Sequence, residues 1–257
     1  MSLTARSLVV HLGRTPVLRG VDFDARAGEF GCIVGPNGSG KTTLLRALTG
    51  ELPYGGAAYL QGQDIASLGP QALARLRGVL PQSTALAFPF NVIEVVRLGL
   101  PDPSDQAPAR TALASVGLSG YEARFYQELS GGEKQRVQLA RVLAQVGAPI
   151  SDEGPRWLFL DEPVSALDIA HQLQVMRLAR AFADAGGGVV AVMHDLNLTA
   201  MFADRVHVLA QGQVLAAGTP GSVMSDTVLS QAYGCDLRVG RTPPPGVPFI
   251  LPHVARA

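Results

Sequence analysis

The sequence predicts an α/β fold built on a largely parallel sheet. Three observations carry this: apolar runs at 29–35, 157–160 and 189–193 that read as buried strands, a helix candidate after each, and a Gly-rich turn joining the first run to its helix. From the N-terminus, 3–11 and 21–25 read as strands. The run at 29–35 leads through its turn into a helix over 41–49. Residues 57–65 and 79–82 are further short strands, while 92–99, 107–117 and 132–146 carry helical apolar spacing, so the middle third is mainly helical. Strand character returns at 157–160 and 189–193, before a hairpin across 206–215 around Gln211-Gly212. Beyond Gly240, prolines 243, 244, 245, 248 and 252 exclude regular helix or an inner strand and leave an irregular tail over 240–257.

A chain of 257 residues fits one domain with a sizeable core. Its 21 basic and 21 acidic residues cancel, so no global attraction to nucleic acid or anionic lipid is expected. No window reaches the roughly eighteen apolar residues of a membrane span, and the first residues lack a signal peptide's basic start and apolar stretch. The protein is expected in the cytoplasm, touching a membrane only through other proteins. Cys32 and Cys235 are far apart and belong to no CxxC or Cys/His cluster, so they read as buried thiols rather than a disulfide or zinc site. Only two of the basic residues are lysines, Lys41 and Lys134, and a lysine's compact point charge suits a phosphate at Lys41.

Gly35, Pro36, Asn37, Gly38, Ser39, Gly40, Lys41, Thr42 and Thr43 fit GxxxxGK[ST] between a buried strand and a helix. The glycines let backbone N–H groups converge on phosphate oxygens, and the helix start adds about half a positive charge. A triphosphate is the natural occupant. Lys41 would reach its β- and γ-phosphates, and the Thr42 hydroxyl would ligate a bridging Mg²⁺. The strand at 157–160 runs directly into Asp161 and Glu162 at the sheet edge where α/β folds bind ligands. Alternation sends the two carboxylates in different directions, giving Asp161 to the metal and Glu162 to an attacking water as base. Leu129-Ser-Gly-Gly-Glu-Lys-Gln-Arg136 opens a second Gly-rich helix start suited to an anion, either for a nucleotide held by another copy of the chain or simply as a capping box between Ser130 and Glu133.

The three motifs GPNGSGKTT, LFLDEP and LSGGEKQR together resemble the ABC transporter ATPase family across most of the chain. The resemblance implies the P-loop NTPase fold of ABC ATPases: a mostly parallel core sheet, an antiparallel β portion and an inserted helical subdomain over approximately 88–146, in one domain over 1–257. It implies a head-to-tail homodimer in which Ser130, Gly131, Gly132 and Glu133 cover the ATP bound by the partner. It makes Gln82, at the end of the strand at 79–82, the glutamine that couples nucleotide and Mg²⁺ to the membrane subunit. It makes His194, after the strand at 189–193, the histidine on the γ-phosphate beside the catalytic Glu162. Asp168 matches the loop that organises the dimer interface, although an Asp before an apolar-patterned stretch also reads as a helix N-cap. The family often stacks adenine on an aromatic near the end of the first strand; His11 is the nearest match here, and an imidazole offers a smaller face.

Within the family, Phe88-Pro-Phe-Asn-Val-Ile-Glu-Val-Val96, Arg136-Val-Gln-Leu-Ala-Arg-Val-Leu-Ala-Gln145, the extra segment 147–156, Ala166-Leu-Asp-Ile-Ala-His-Gln172 and the tail 233–252 most resemble haem-importer ATPases, grouped with iron-siderophore and vitamin B12 importers. That implies two ATPase copies, two transmembrane permease subunits and a periplasmic haem-binding protein, with this chain peripheral on the cytoplasmic face of the inner membrane. No direct haem binding is expected, since His171 and His194 would face solvent or nucleotide. The stretch 88–97 offers aromatic and aliphatic contacts to a permease, or serves the core of the helical subdomain. Neutral charge and a single cassette argue against an ABC ATPase acting on nucleic acid or ribosomes. The absence of an Asn-Lys pair argues against a GTPase switch.

Overall fold

The computed structural model describes residues 1–83, 86, 88–100, 102 and 104–252. Its first half runs β1 (Ser2–Leu12), β2 (Thr15–Arg26), β3 (Phe30–Val34), α1 (Lys41–Leu48), β4 (Gly55–Leu60), β5 (Gln63–Asp64), α2 (Pro70–Leu76) and β6 (Arg77–Leu80). There follow α3 (Val92–Arg97), α4 (Ala107–Ser115), α5 (Gly131–Val146), β7 (Ile150–Ser151), β8 (Gly154–Pro155), β9 (Trp157–Asp161) and α6 (Ile169–Asp184). The chain closes with β10 (Gly188–Val192), α7 (Leu196–Phe202), β11 (Arg205–Ala210), β12 (Gln213–Gly218), α8 (Pro220–Val223) and α9 (Asp226–Tyr233).

Six strands form the core sheet in the order β12-β11-β3-β10-β9-β6. Pairing is parallel from β11 to β6, and only the β12 edge is antiparallel. A second, antiparallel sheet has the order β2-β1-β4-β5. Every residue of β3, β9 and β10 is buried, as strands covered on both faces require. Alternation divides their side chains between two clusters. Phe30, Cys32, Leu158, Leu160, Val189 and Ala191 face the helices of the middle and end of the chain, while Ile33, Trp157, Phe159, Val190 and Val192 face α1 and the antiparallel sheet. Burial of each large side chain contributes about 1.5–3 kcal/mol. α3 and α4 pack on α5, which returns to the sheet through contacts with β6 and β9.

Several boundaries differ from the sequence reading. The expected strand at 57–65 is a hairpin, because Gln61 and Gly62 both adopt positive φ (55° and 81°), the requirement of a type I′ turn. The expected strand at 79–82 sits at β6 and stops before Pro81, which cannot donate to a ladder. β2 begins six residues before the expected 21, because its first half is mostly exposed and lacks an apolar alternation. Helix α2 was not expected; Pro70 at its first turn supplies a preset φ, and Leu73 and Leu76 bury one face. Cys32 is buried, and burial drives its thiol pKa up. Cys235 is exposed, contrary to expectation, because it lies just past the left-handed Gly234 that ends α9.

His207 of β11 is 1% exposed and stacks on Phe23 with ring centroids 4.2 Å apart. Neither ring nitrogen has a hydrogen-bond partner, and Asp24 Oδ1 is 3.9 Å away. Burial therefore lowers its pKa from 6.5 to about 4. Between those values the unfolded chain binds a proton that the folded chain refuses. Stability is thus full above pH 6.5 and falls as pH drops toward 4, by roughly 3 kcal/mol. His207→Phe keeps the stack and cannot protonate, so urea unfolding across this range should lose about that much pH dependence; an unchanged slope would refute the assignment.

Candidate nucleotide site

Four neighbouring parallel strands deliver their following residues to one edge of the core sheet. β3 opens into the loop 35–40, β6 is followed by Gln82, β9 ends in Asp161 and Glu162, and β10 is followed by His194. This is the carboxyl edge at which open α/β sheets bind ligands. A cavity of about 750 Å³ opens there, lined by Asn37, Gly38, Gly40, Lys41, Thr42, Thr43, Gln82, Glu162 and His194, with Leu12 and Val17 at one side.

The loop is shaped by its glycines. Gly35 has φ +149°, and a Cβ there would lie 2.0 Å from Leu209 O of β11, so only glycine lets the loop leave β3 against that strand. Gly40 caps α1 in the left-handed region with no side-chain cap, leaving the first N–H groups of the helix facing the cavity. Lys41 is 6% exposed and donates from Nζ to Gly35 O (2.8 Å) and Pro36 O (3.0 Å). Burial lowers its pKa, opposed by the nearby carboxylates of Glu162 and Asp161. The positive charge is thus folded over the loop at the place a phosphate would fill.

Asp161 is 3% exposed and accepts from Thr42 Oγ1 at 3.1 Å. Burial pushes its carboxyl pKa up against the Thr42 hydrogen bond and Lys41, so the site favours a cation beside it. A hydroxyl and a carboxylate converging beside a phosphate loop are the hard oxygen donors that suit Mg²⁺, which takes few protein ligands and completes its shell with phosphate and water. Thr42, Asp161 and Gln82 are the residues that could hold it.

Glu162 leaves the strand with φ +52°, a left-handed conformation rare outside glycine. The turn separates it from Asp161 and points it at His194, whose Nε2 lies 2.7 Å from Glu162 Oε1. A carboxylate and an imidazole in contact at the cavity wall can accept a proton from water and orient the accepting oxygen. The direct Glu162–His194 contact could not be read from the sequence, since the residues lie 32 apart.

The other expected site residues fall elsewhere. His11 is exposed and does not line the cavity; Leu12 and Val17 do. The reason is parity: alternation along β1 sends His11 and Leu12 to opposite faces. Ser130 caps α5, accepting from Glu133 N at 3.3 Å while Glu133 Oε2 accepts from Ser130 N at 2.8 Å, so the capping box forms. Those bonds hold the Glu133 carboxyl below its ordinary pKa. Ser130 and Gly131 are exposed and line no part of this cavity, so α5 presents its start outward. Asp168 caps α6 through His171 N at 3.0 Å and also meets His171 Nδ1 at 2.9 Å.

The family model described as ABC transporter matches residues 18–165, a stretch that holds the phosphate loop, Gln82, the α5 start and the Asp161-Glu162 pair. The chain belongs to the ABC transporter family. Among curated relatives, the Hemin import ATP-binding protein HmuV of Jannaschia sp. (strain CCS1) is 62% identical over 257 residues, covering 99% of this chain and 95% of that protein. The protein of the same name from Roseobacter denitrificans (strain ATCC 33942 / OCh 114) is 60% identical, covering 99% of each. Among solved structures, a nucleotide-free ATP-binding cassette from an ABC transporter has a TM-score of 0.78 at 23% identity, over 90% of this chain and 98% of that one, a likeness of fold. A bacterial Atm1-family ABC exporter with ATP bound gives a TM-score of 0.76 at 29% identity, over 87% of this chain and 39% of that one. This ABC protein binds ATP and hydrolyses it in support of transport. No helix among its described residues is long and apolar enough to cross a membrane.

Proposed function

We propose that this chain is the ATP-hydrolysing subunit that energises haem import across the inner membrane, working from its cytoplasmic face as a peripheral subunit. The observation that carries the haem assignment is the 62% identity to a Hemin import ATP-binding protein over nearly the full length of both chains. In this reading the chain is one ABC ATPase domain with a helical subdomain over about 88–146. Gly35 to Thr43 cradle the phosphates, Thr42, Asp161 and Gln82 hold Mg²⁺, Glu162 takes the proton of the attacking water, and His194 orients Glu162 and meets the γ-phosphate. Bound Mg²⁺ supplies charge neutralisation on the phosphates. Leu12 and Val17, rather than His11, flank the adenine.

Two copies pair head to tail, so that Ser130 to Glu133 of one copy close over the nucleotide of the other, with Asp168 at the interface. The outward α5 start supports this: it offers an anion site that no nucleotide of its own chain reaches. Two permease subunits dock on the dimer, and a periplasmic haem-binding protein delivers the cargo. Phe88, Leu98 and Phe125, exposed at 69%, 58% and 47%, give the helical region an apolar surface for the permease. The test is ATP turnover of the chain co-purified with its permease in liposomes, with a binding protein carrying haem, a ferric siderophore or cobalamin. Haem-selective stimulation is expected. Stimulation by another cargo alone would overturn the haem assignment and leave the ATPase in place.

A further inference from the structure

Gln135 connects the two halves of the composite site within one chain. It lies in the first turns of α5, two residues after Glu133, and is half-buried. Its Nε2 donates to Glu162 O at 2.8 Å, and its Oε1 accepts from Ala166 N at 3.3 Å. A carbonyl can only accept and an amide N–H can only donate, so these partners fix the orientation of the side-chain amide. One side chain thus spans the loop that begins at Glu162 and leads to Asp168.

The grip falls on a strained place. Glu162 holds φ +52°, a conformation that a side chain other than glycine keeps only when its surroundings over-determine it. Its N–H is tied to Val192 O at 3.2 Å, and its carbonyl receives Ser165 Oγ at 3.2 Å besides Gln135. Of these, Gln135 alone comes from α5. The start of that helix also rests on the same loop: a Cβ on Gly132 would come within 3.0 Å of Ala166 O and 3.2 Å of Leu167 Cδ2. A shift of α5 therefore passes to the Glu162 backbone through a hydrogen-bonded strut and a close packing contact.

We infer that Gln135 is a positioning residue that transmits engagement of the α5 start by the partner's nucleotide to the backbone of Glu162 in its own site, coupling the two ATP sites of the dimer. The inference rests on the proposed dimer and on Glu162 as base. It predicts that Gln135 acts on turnover and cooperativity, with no direct part in binding ATP.

The experiment is steady-state hydrolysis by the permease complex carrying Gln135→Ala, Gln135→Glu or Gln135→Lys, with Glu162→Gln as control and melting temperature recorded for each. Gln135→Ala and Gln135→Glu, which remove the donor to Glu162 O, are expected to lower kcat about ten-fold, to leave the KM for ATP within about two-fold, and to bring the Hill coefficient toward 1. Gln135→Lys, which restores a donor of similar reach, should recover part of kcat. Wild-type kcat and Hill coefficient in Gln135→Ala would overturn the inference, as would a kcat loss that merely follows a fall in folded fraction. Undiminished turnover in Glu162→Gln would instead sink the catalytic assignment beneath it.

Discussion

Glu162→Gln is expected to lower ATP turnover by ~10²–10⁴ while leaving ATP binding intact. The substitution is nearly isosteric. It preserves an oxygen that can accept from His194 Nε2, now at 2.7 Å, and it leaves the main-chain bonds of Glu162 to Val192 and Gln135 untouched. What it removes is the capacity to take a proton from water. The phosphate loop, Lys41 and the Thr42–Asp161 pair remain in place, so a fluorescent ATP analogue should bind within a few-fold of the wild-type affinity, and trapped nucleotide should prolong any ATP-dependent dimer. Phosphate release checks the first part and equilibrium binding the second. Turnover within a few-fold of wild type would remove Glu162 from the role of base.

Lys41→Ala is expected to act at the earlier step, weakening ATP binding about 10²-fold, equivalent to about 3 kcal/mol. Lys41 is the cation seated in the phosphate loop, and its Nζ is held by Gly35 O and Pro36 O rather than by a carboxylate, so it can turn to a phosphate without breaking an ion pair. Its loss also removes the positive charge that acts on both the buried Asp161 and the adjacent Glu162, which raises the cost of bringing a polyanion beside them. Lys41→Arg should fail to rescue, because a planar guanidinium is too broad for the place of a point charge folded over the loop. Equilibrium dialysis of labelled ATP measures both; wild-type affinity in Lys41→Ala would mean that the backbone N–H groups alone carry the triphosphate.

The parts of this site that are contiguous in sequence were legible in it. GPNGSGKTT lies between an apolar run and a helical pattern, and WLFLDEP turns an apolar run into two carboxylates, so both chemistry and context are local. Gln82 and His194 come from the family resemblance, which each fits by following a strand-like segment, and the structure brings those strands to the same sheet on either side of β9. The fold is less legible where one dipeptide occurs in two settings. Gln-Gly reads as a hairpin turn at 211–212, while the same pair at 61–62 lies inside the expected strand 57–65, although both pairs adopt positive φ.

His11 illustrates a limit of a different kind. A shift of one residue along β1 changes which side chain faces the cavity, and register shifts in that strand's pairing make parity hard to read from sequence. The Gln135 strut and the Glu162–His194 contact are absent from any local pattern, since both join residues brought together only by the order β3-β10-β9-β6 and by the return of α5 to the sheet.

The central claim is that each ATP is hydrolysed between the phosphate loop of one copy and the α5 start of another. Mixing two inactive chains tests it most directly. Lys41→Ala disables the phosphate loop, and Gly131→Asp places a carboxylate at the α5 start in a position where an added Cβ meets no atom within 4 Å, so the fold should tolerate it. Each variant alone in the permease complex should be inactive. Mixed one to one before assembly, half of the dimers carry both variants, and each of those retains one intact site, so activity should return, to about a quarter of wild type if the sites act independently and about ten-fold less where the Gln135 coupling from the disabled site is lost. If the site were complete within a single chain, no mixture of the two would hydrolyse ATP, and the head-to-tail account would be contradicted.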